Sequence, residues 1–187
     1  MKNKIPEKSN KKESIAEDLK NFRSLYKEIL EELYSKREAG MSILLITFPL
    51  LERYLRWKTK IFSGNFSKKE KCYKELINLF HSLKSRNNNK EAKDFWDTYR
   101  HGLLHELIMK KGSAATHDIS EPIIKIDKTF LIHPVEFAKC VVKAIEDDFE
   151  TFAISPDVES HLPKIGIYEP PQNGLSTMVS TEIWATR

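Results

Sequence analysis

The sequence predicts an all-α domain, a helical bundle of four to five helices with a small β-hairpin insertion before the last helix. Apolar residues recur at helical spacing in five long segments. Two short β-branched runs stand between the fourth and the fifth of these segments and predict the hairpin. With 187 residues, of which 40% are hydrophobic and 31% charged, the chain is long enough to bury one core without disulfides.

The first helix is predicted to follow a polar, lysine-rich start. Residues 1–13 are typical of a disordered basic tail, because they show no apolar periodicity. From Ser14 to about Arg37, apolar residues fall on one face of a long amphipathic helix. Gly40 stands just past this pattern, where a glycine commonly ends a helix.

The second helix is predicted from Met41 to about Phe62. Its first half is apolar almost all round, which indicates burial, and the run Met41–Leu51 is too short to span a bilayer. Pro49 lies inside the pattern and predicts a kink or a late start, because proline lacks the N–H donor that a helix interior uses. Because the apolar run Met41–Leu51 is too short to span a bilayer, we expect no association with a membrane.

The third and fourth helices carry their own start and stop signals. The third is predicted over Ser67–Ser85, with Ser67 as N-cap and Glu70 at capping-box spacing. The fourth is predicted over Lys90–Met109, and two lysines and Gly112 follow it, as is typical of a helix C-terminus.

The remaining chain changes character. The runs Ile123–Ile126 and Thr129–Ile132 predict the hairpin. A fifth helix is predicted over Pro134–Ala153, so that the helical domain spans residues 14–154. Residues 155–187 hold four prolines and two glycines without periodicity, which predicts an irregular C-terminal extension that either wraps the domain or stays mobile.

Cysteine content and charge indicate the compartment and the kind of partner. Cys72 and Cys140 fall in apolar helical patterns, which favours free thiols in a reducing setting. Because no signal-peptide pattern is present either, we expect a cytoplasmic protein. Residues 144–187 hold eight acidic and two basic residues, a net charge of −6, so the preceding residues carry +10. A basic body suits RNA, and it is equally typical of a solubilising lysine surface.

The segment Asp94–Glu106 concentrates the residues with chemical potential. An arginine can neutralise a phosphate, and a histidine can move a proton near neutral pH. Held together, the two can cleave RNA without a metal. Arg100, His101, His105 and the aspartates of the segment are therefore the candidates for such chemistry.

On an ideal helix, Arg100 and His105 do not share a face. Arg100 lies about 140° from His105, whereas His101 and His105 are about 40° apart. For Arg100 and His105 to share one site, the helix must distort near Gly102, the arginine must curl back, or a second copy must complete the site. The apolar stripe of the same helix is predicted to consist of Phe95, Tyr99, Leu103 and Leu107.

Two other interpretations of this segment stay open. Its polar face could be solvated, with Asp97 and His101 forming an i,i+4 pair. His101 and His105 could also be two ligands of a zinc ion, but zinc needs three or four, and the others would have to come from Glu106, Asp97 or remote histidines. We expect no metal and no cofactor.

In its context the segment resembles the motif of the HEPN domain proteins (higher eukaryotes and prokaryotes nucleotide-binding). That motif is an arginine, then a polar residue, and then a histidine, and Arg100, His101 and His105 match it, with four residues between Arg100 and His105. The segment Leu50–Arg56 also looks like the core helix that precedes the motif in this family. The likeness covers roughly Ser14 to Ala153.

This resemblance implies an up-and-down helical bundle that forms a homodimer, with two motif copies lining one cleft. It implies a metal-independent endoribonuclease, acting as a toxin or in phage defence, that cleaves RNA by attack of a ribose 2′-OH on the adjacent phosphate. It implies that Arg100 and His105 are the catalytic residues, with Arg100 stabilising the phosphate charge and His105 acting as general base or acid. His101 and Asp97 would be auxiliary residues that orient the substrate. Other members of the family are catalytically silent binding modules or partners of small nucleotidyltransferases. The resemblance therefore implies an antitoxin or a nucleotidyltransferase as a possible partner protein.

A second group of basic residues lies in the second helix. Arg53, Arg56 and Lys58 could contact an RNA backbone, and such a cluster is as often an ordinary exposed face. Tryptophans can stack on bases, but in helical patterns they are more often buried in a core or an interface. We expect that here for Trp57, Trp96 and Trp184.

Overall fold

The computed structural model describes residues 7–61, 70–85, 89–103 and 113–149, with the backbone alone at residues 7–14 and at His101. Within these ranges the chain is mainly helical, as the sequence predicts, with one small sheet. The helices are α1 (Glu7–Phe22), α2 (Glu28–Tyr34), α3 (Gly40–Thr59), α4 (Glu70–Leu79), α5 (Lys90–His101) and α6 (Pro134–Asp147), and the strands are β1 (Ser113–Ala115), β2 (Ile123–Ile126) and β3 (Thr129–Ile132).

The N-terminal helix is longer than the apolar pattern predicts. It begins at Glu7, inside the segment expected to be a disordered tail, because extending a formed helix adds one hydrogen bond per residue at little further cost. A π-helical turn at Arg23–Lys27 joins α1 to α2. Residues 1–6 lie outside the described residues.

Helix α3 runs unbroken through Pro49, so the expected late start at this residue is wrong. The proline lies on the exposed side of the helix, while its neighbours Phe48 and Leu50 are buried. Burial of these apolar side chains offsets the backbone hydrogen bond that the proline cannot donate. The helix ends at Thr59, and the next residue, Lys60, caps it in the left-handed conformation (φ 57°).

Gly40 begins α3 and does not end the preceding helix as the pattern predicts. A β-carbon at this position would lie 3.1 Å from Pro134 Cγ, so the glycine permits a close approach between the starts of α3 and α6. The helix before it ends at Tyr34, ahead of a short 3₁₀ turn at Arg37–Ala39.

Helix α4 is shorter than predicted because Phe80 leaves the helical conformation. The ring of Phe80 instead stacks on Phe137 of α6, at 5.0 Å between ring centroids and an interplanar angle of 15°. Stacking in the core therefore ends the helix at Leu79, six residues before the predicted end at Ser85. The predicted N-cap, Ser67, lies outside the described residues.

The sheet contains the predicted hairpin and one further strand. β2 and β3 pair antiparallel around a turn in which Asp127 has a positive φ of 55°. β1 was not predicted, and it pairs parallel to β3 at the opposite edge from β2. Three small residues, Ser113–Ala115, carry no alternating pattern that would indicate a strand.

Phe48 of α3 lies at the centre of an aromatic core. Its ring stacks on Tyr99 at 6.0 Å and contacts Phe137 at 5.0 Å. Trp57 and Trp96 are also buried, as expected, whereas Trp184 lies outside the described residues. In the described ranges, no helix combines the length and the hydropathy that crossing a bilayer requires.

Candidate active site around Arg100

Helix α5 places the candidate motif where its polar edge meets α3. The predicted apolar stripe is confirmed at Phe95, Tyr99 and Leu103, which are fully buried. Arg100 lies beside this stripe, with 25% of its side chain exposed. Leu107 and the second candidate catalytic residue, His105, lie outside the described residues.

The Tyr99 hydroxyl ties α5 to the sheet. It lies 2.7 Å from the carbonyl oxygen of Ala114 and 2.8 Å from that of Phe130, and it accepts a hydrogen bond from the N–H of Ala114 at 3.2 Å. Burial raises the pKa of Tyr99 well above its usual value. Because Arg100 is the next residue, these contacts also set the position of the Arg100 backbone.

Arg100 forms an ion pair with Glu52 of α3. Its Nε donates a hydrogen bond to Oε2 of Glu52 at 2.9 Å. Arg56 binds the other oxygen of the same carboxylate, with Nε at 2.9 Å and Nη2 at 2.8 Å from Oε1. Two guanidinium groups therefore converge on one carboxylate, and we call Glu52, Arg56 and Arg100 the Glu52 cluster.

The Glu52 cluster is partly shielded from solvent. The carboxylate is 14% exposed, against 20% for Arg56 and 25% for Arg100. A charge at a partly buried position acts more strongly on an anion such as a phosphate than the same charge in open solvent.

The helix departs from α-helical geometry two residues after Arg100. Gly102 and Leu103 continue α5 as a π-helical turn, and both are buried. This is the place where the sequence required a distortion if Arg100 and His105 were to share a site. π-helical turns inside α-helices are rare and occur frequently at functional sites.

The other predicted basic residues are engaged within the fold. Lys58 forms an ion pair with Asp148, which also accepts a hydrogen bond from the Tyr54 hydroxyl at 2.6 Å. Arg53 is half-buried, and burial lowers the pKa of its guanidinium. Arg56 belongs to the Glu52 cluster. Lys58 thus connects α3 to the end of α6, and Arg56 takes part in the contact between α3 and α5.

The auxiliary residues are only partly described. Asp97 is half-buried on α5, and the His101 side chain lies outside the description, so the predicted pairing of these two residues stays a prediction. Within the described part of the chain, no group of three or more histidine, cysteine, aspartate or glutamate side chains could hold a metal ion.

Two histidines to which the sequence assigns no role meet at the start of α6. The rings of His117 and His133 lie 5.1 Å apart, edge to face. His133 Nδ1 accepts a hydrogen bond from the backbone N–H of Glu136 at 3.2 Å and so caps α6. Burial, and then the neighbouring His117, lower the pKa of His133.

Glu52 and the Tyr99 hydroxyl are the residues that sequence reasoning missed. The spacing of Glu52 and Arg56 is a visible i,i+4 signal, but nothing local points from Glu52 to Arg100, 48 residues away. The hydroxyl of Tyr99 gives no sequence signal, because its partners are backbone atoms of the sheet.

Comparison of the chain with protein-family models, with curated proteins and with solved structures finds no match in any of the three.

Proposed function

We propose that this protein is a metal-independent endoribonuclease of HEPN type, in which Arg100 binds the scissile phosphate and His105 transfers protons. The observation that carries the proposal is the π-helical turn at Gly102–Leu103, which begins two residues after Arg100. The resemblance of the motif to that of the HEPN proteins indicates the class of reaction, which is RNA cleavage.

The π turn acts on the angle between the two candidate catalytic residues. Each residue in a π-helical turn advances the chain by about 85° instead of about 100°. The separation of about 140° between Arg100 and His105 on an ideal α-helix becomes smaller with every residue in π geometry. Such a turn therefore favours a shared site for the two residues, which an undistorted helix does not.

The reaction that suits these groups is an internal transfer at phosphorus. A base removes the proton of the ribose 2′-OH, and the 2′ oxygen attacks the adjacent phosphorus. The bond to the 5′ oxygen breaks, and that oxygen receives a proton from an acid, giving a 2′,3′-cyclic phosphate and a 5′-OH end. His105 serves as base or acid, because imidazole titrates near neutral pH, and Arg100 stabilises the charge on the phosphate oxygens.

We also propose that the protein acts as a homodimer in a defined cellular system. In an up-and-down bundle that forms a homodimer, two copies of the motif line one cleft, so that one histidine acts as base and the other as acid. We place this activity in the cytoplasm, in a toxin–antitoxin or phage-defence system, with an antitoxin or a nucleotidyltransferase as partner protein. The basic part of the chain, with its net charge of +10, suits RNA as the substrate.

The test is RNA cleavage by the purified protein, followed by labelling of new 5′-OH ends with a polynucleotide kinase. We expect Arg100→Ala and His105→Ala each to reduce cleavage by at least about 100-fold, because each removes a group that acts in the transition state. EDTA should leave the rate unchanged.

Arg37→Ala is the matched control for the loss of an arginine. Arg37 forms an exposed ion pair with Asp118 at 3.4 Å and belongs to neither the motif nor the Glu52 cluster, so this variant should cleave like the wild type. Cleavage that EDTA abolishes and zinc restores would contradict the proposed mechanism, as would full activity of Arg100→Ala.

A second candidate function is a catalytically silent module that binds RNA, a nucleotide or a protein. The engagement of Arg100 and Arg56 by Glu52 favours it, because an ion-paired arginine also stabilises a fold without any chemistry. RNA binding without new 5′-OH ends would select this alternative.

A further inference from the structure

We propose that two copies of the chain pair through the outer side of their N-terminal helices, which run antiparallel, so that Leu25 packs on the partner's Ile29. The N-terminal helix is the continuous helical stretch formed by α1, the π-helical turn and α2. This pairing gives the homodimer of the proposed function a contact surface outside the motif helix α5. It rests on observations that are independent of the motif, and it can be tested without RNA cleavage.

Leu25 and Ile29 form an apolar pair that the structure leaves exposed, and we call them the outer pair. They are 43% and 44% exposed and four residues apart, so their side chains are neighbours on the helix surface. In the described part of the chain, Ile126 of β2 is the only other large apolar side chain exposed to this degree. Adjacent exposed apolar side chains are typical of a surface that packs against a partner.

The π-helical turn at Arg23–Lys27 directs the outer pair away from the core. On an undistorted α-helix, Ile29 would share a side with Phe22, seven residues earlier, which is half-buried. A π-helical turn holds about one residue more than an α-helical turn, so Leu30 takes the inner position instead and is fully buried. The outer pair is therefore exposed by a distortion that is rare in helices and frequent at functional sites.

Charged residues of opposite sign flank the outer pair. Asp18 lies seven residues before Leu25, Lys36 lies seven residues after Ile29, and both are exposed. Residues seven apart share one side of a helix, so these four side chains form one row. When an antiparallel partner sets its Ile29 against Leu25, its Lys36 comes to lie opposite Asp18. The row is thus complementary to itself, as a symmetric pair of identical chains requires.

The same charges select the partner and its direction. Asp18 and Lys36 are 18 residues apart, which is about 27 Å along a helix, so they cannot form an ion pair within one copy. A parallel pairing would set Asp18 against the partner's Asp18, and Lys36 against the partner's Lys36, and like charges opposite each other are destabilising. An antiparallel second copy is therefore the partner that this row fits.

The first test is the dissociation constant of the dimer, measured on the full chain by analytical ultracentrifugation at low salt. In Leu25→Asp/Ile29→Asp, the pairing would bury carboxylates without partners, so we expect Kd to rise at least about 100-fold. Ile126→Asp is the matched control. It replaces an apolar side chain that is 54% exposed on β2, so Kd should stay unchanged.

The second test exchanges the two charges of the row. Asp18→Lys and Lys36→Asp each place like charges opposite each other at both ends of the antiparallel pair. We expect each to raise Kd about tenfold at low salt, and less at high salt, where charges are screened. The double variant Asp18→Lys/Lys36→Asp restores opposite charges in the antiparallel arrangement, so its Kd should return to within about threefold of the wild type.

Each outcome supports or overturns the pairing. A monomeric wild type overturns it and leaves the outer pair to another occupant, such as another segment of the chain or a different protein. A dimer that survives Leu25→Asp/Ile29→Asp also overturns it, because the contact then lies elsewhere. If that variant does not fold, the charge exchange decides, and a double variant that does not recover overturns the pairing. A wild type that forms this dimer and cleaves no RNA overturns the proposed reaction alone.

Discussion

Tyr99 combines two contacts that position the motif. Its ring packs in the core against Phe48, and its hydroxyl meets the backbones of β1 and β3. A buried tyrosine needs a partner for its hydroxyl, and here three backbone groups share it. The residue that precedes Arg100 thus anchors α5 to the sheet, while Glu52 of α3 binds Arg100 itself.

Tyr99→Phe should lower the free energy of unfolding by about 1–3 kcal/mol, because the N–H of Ala114 loses a buried hydrogen-bond partner. Urea denaturation of the wild type and the variant measures the difference. Phe95→Leu serves as a comparison, since it changes the same core without removing a polar group. A difference below about 0.5 kcal/mol for Tyr99→Phe would show that the hydroxyl is not a structural anchor.

At the scale of elements, α6 depends on its N-terminal cap. His133 accepts from Glu136 N–H through Nδ1, which requires that this nitrogen carries no proton, and Pro134 at the first helical position needs no partner. Protonation of His133 would turn the acceptor into a donor.

The free energy of unfolding should therefore depend on the pH through His133. Since the folded protein holds the pKa of His133 below its ordinary value of 6.5, the stability contributed by the neutral ring is complete above pH 6.5. It decreases as the pH falls through 6.5 toward the pKa of the folded state. His133→Asn keeps a capping acceptor without a titrating group, so its stability should decline less between pH 7 and pH 5. An identical decline in both proteins, measured by urea denaturation, would contradict this role.

At the scale of the whole molecule, two carboxylates at the C-terminal end of α6 form ion pairs with distant helices. Glu146 binds Arg23 and Lys27 at the π turn of the N-terminal helix, and Asp148 binds Lys58 of α3. Burial raises the pKa of each carboxyl group, but hydrogen bonds from these cations, and from Tyr54 to Asp148, outweigh it, so both pKa values lie below the ordinary range.

These two carboxylates should make the fold sensitive to acid. Because their folded-state pKa values are depressed, their contribution to stability is complete above the ordinary values of 4.5 and 3.8 and is lost as the pH falls through the folded values. Glu146→Gln with Asp148→Asn should therefore be less stable than the wild type at pH 6 and should differ from it much less at pH 2.5. Circular dichroism on thermal unfolding measures this, and an equal difference at both pH values would contradict it.

Much of the fold follows from local patterns in the sequence. The 3.6-residue period identified the helices and the buried face of α5, and the β-branched runs identified the hairpin. Arg100 was recognised as a candidate from its residue type and from the resemblance of its motif, because spacing on an ideal helix favours the two histidines as a pair. The ends of elements were less predictable. Helix α4 ends early because Phe80 stacks on Phe137, and helix α3 continues through Pro49 because its neighbours are packed in the core.

By itself, the sequence determined the helical character of the chain, the hairpin and the candidate motif, because these depend on residues within a few turns of one another. Only the tertiary structure decided that Glu52 holds Arg100, that β1 pairs with β3, and that the Tyr99 hydroxyl joins them. Such partners are separated by up to 48 residues, and their choice depends on how the core brings the elements together. The helical period predicts which face of a helix is buried, but it does not predict which elements pack against that face.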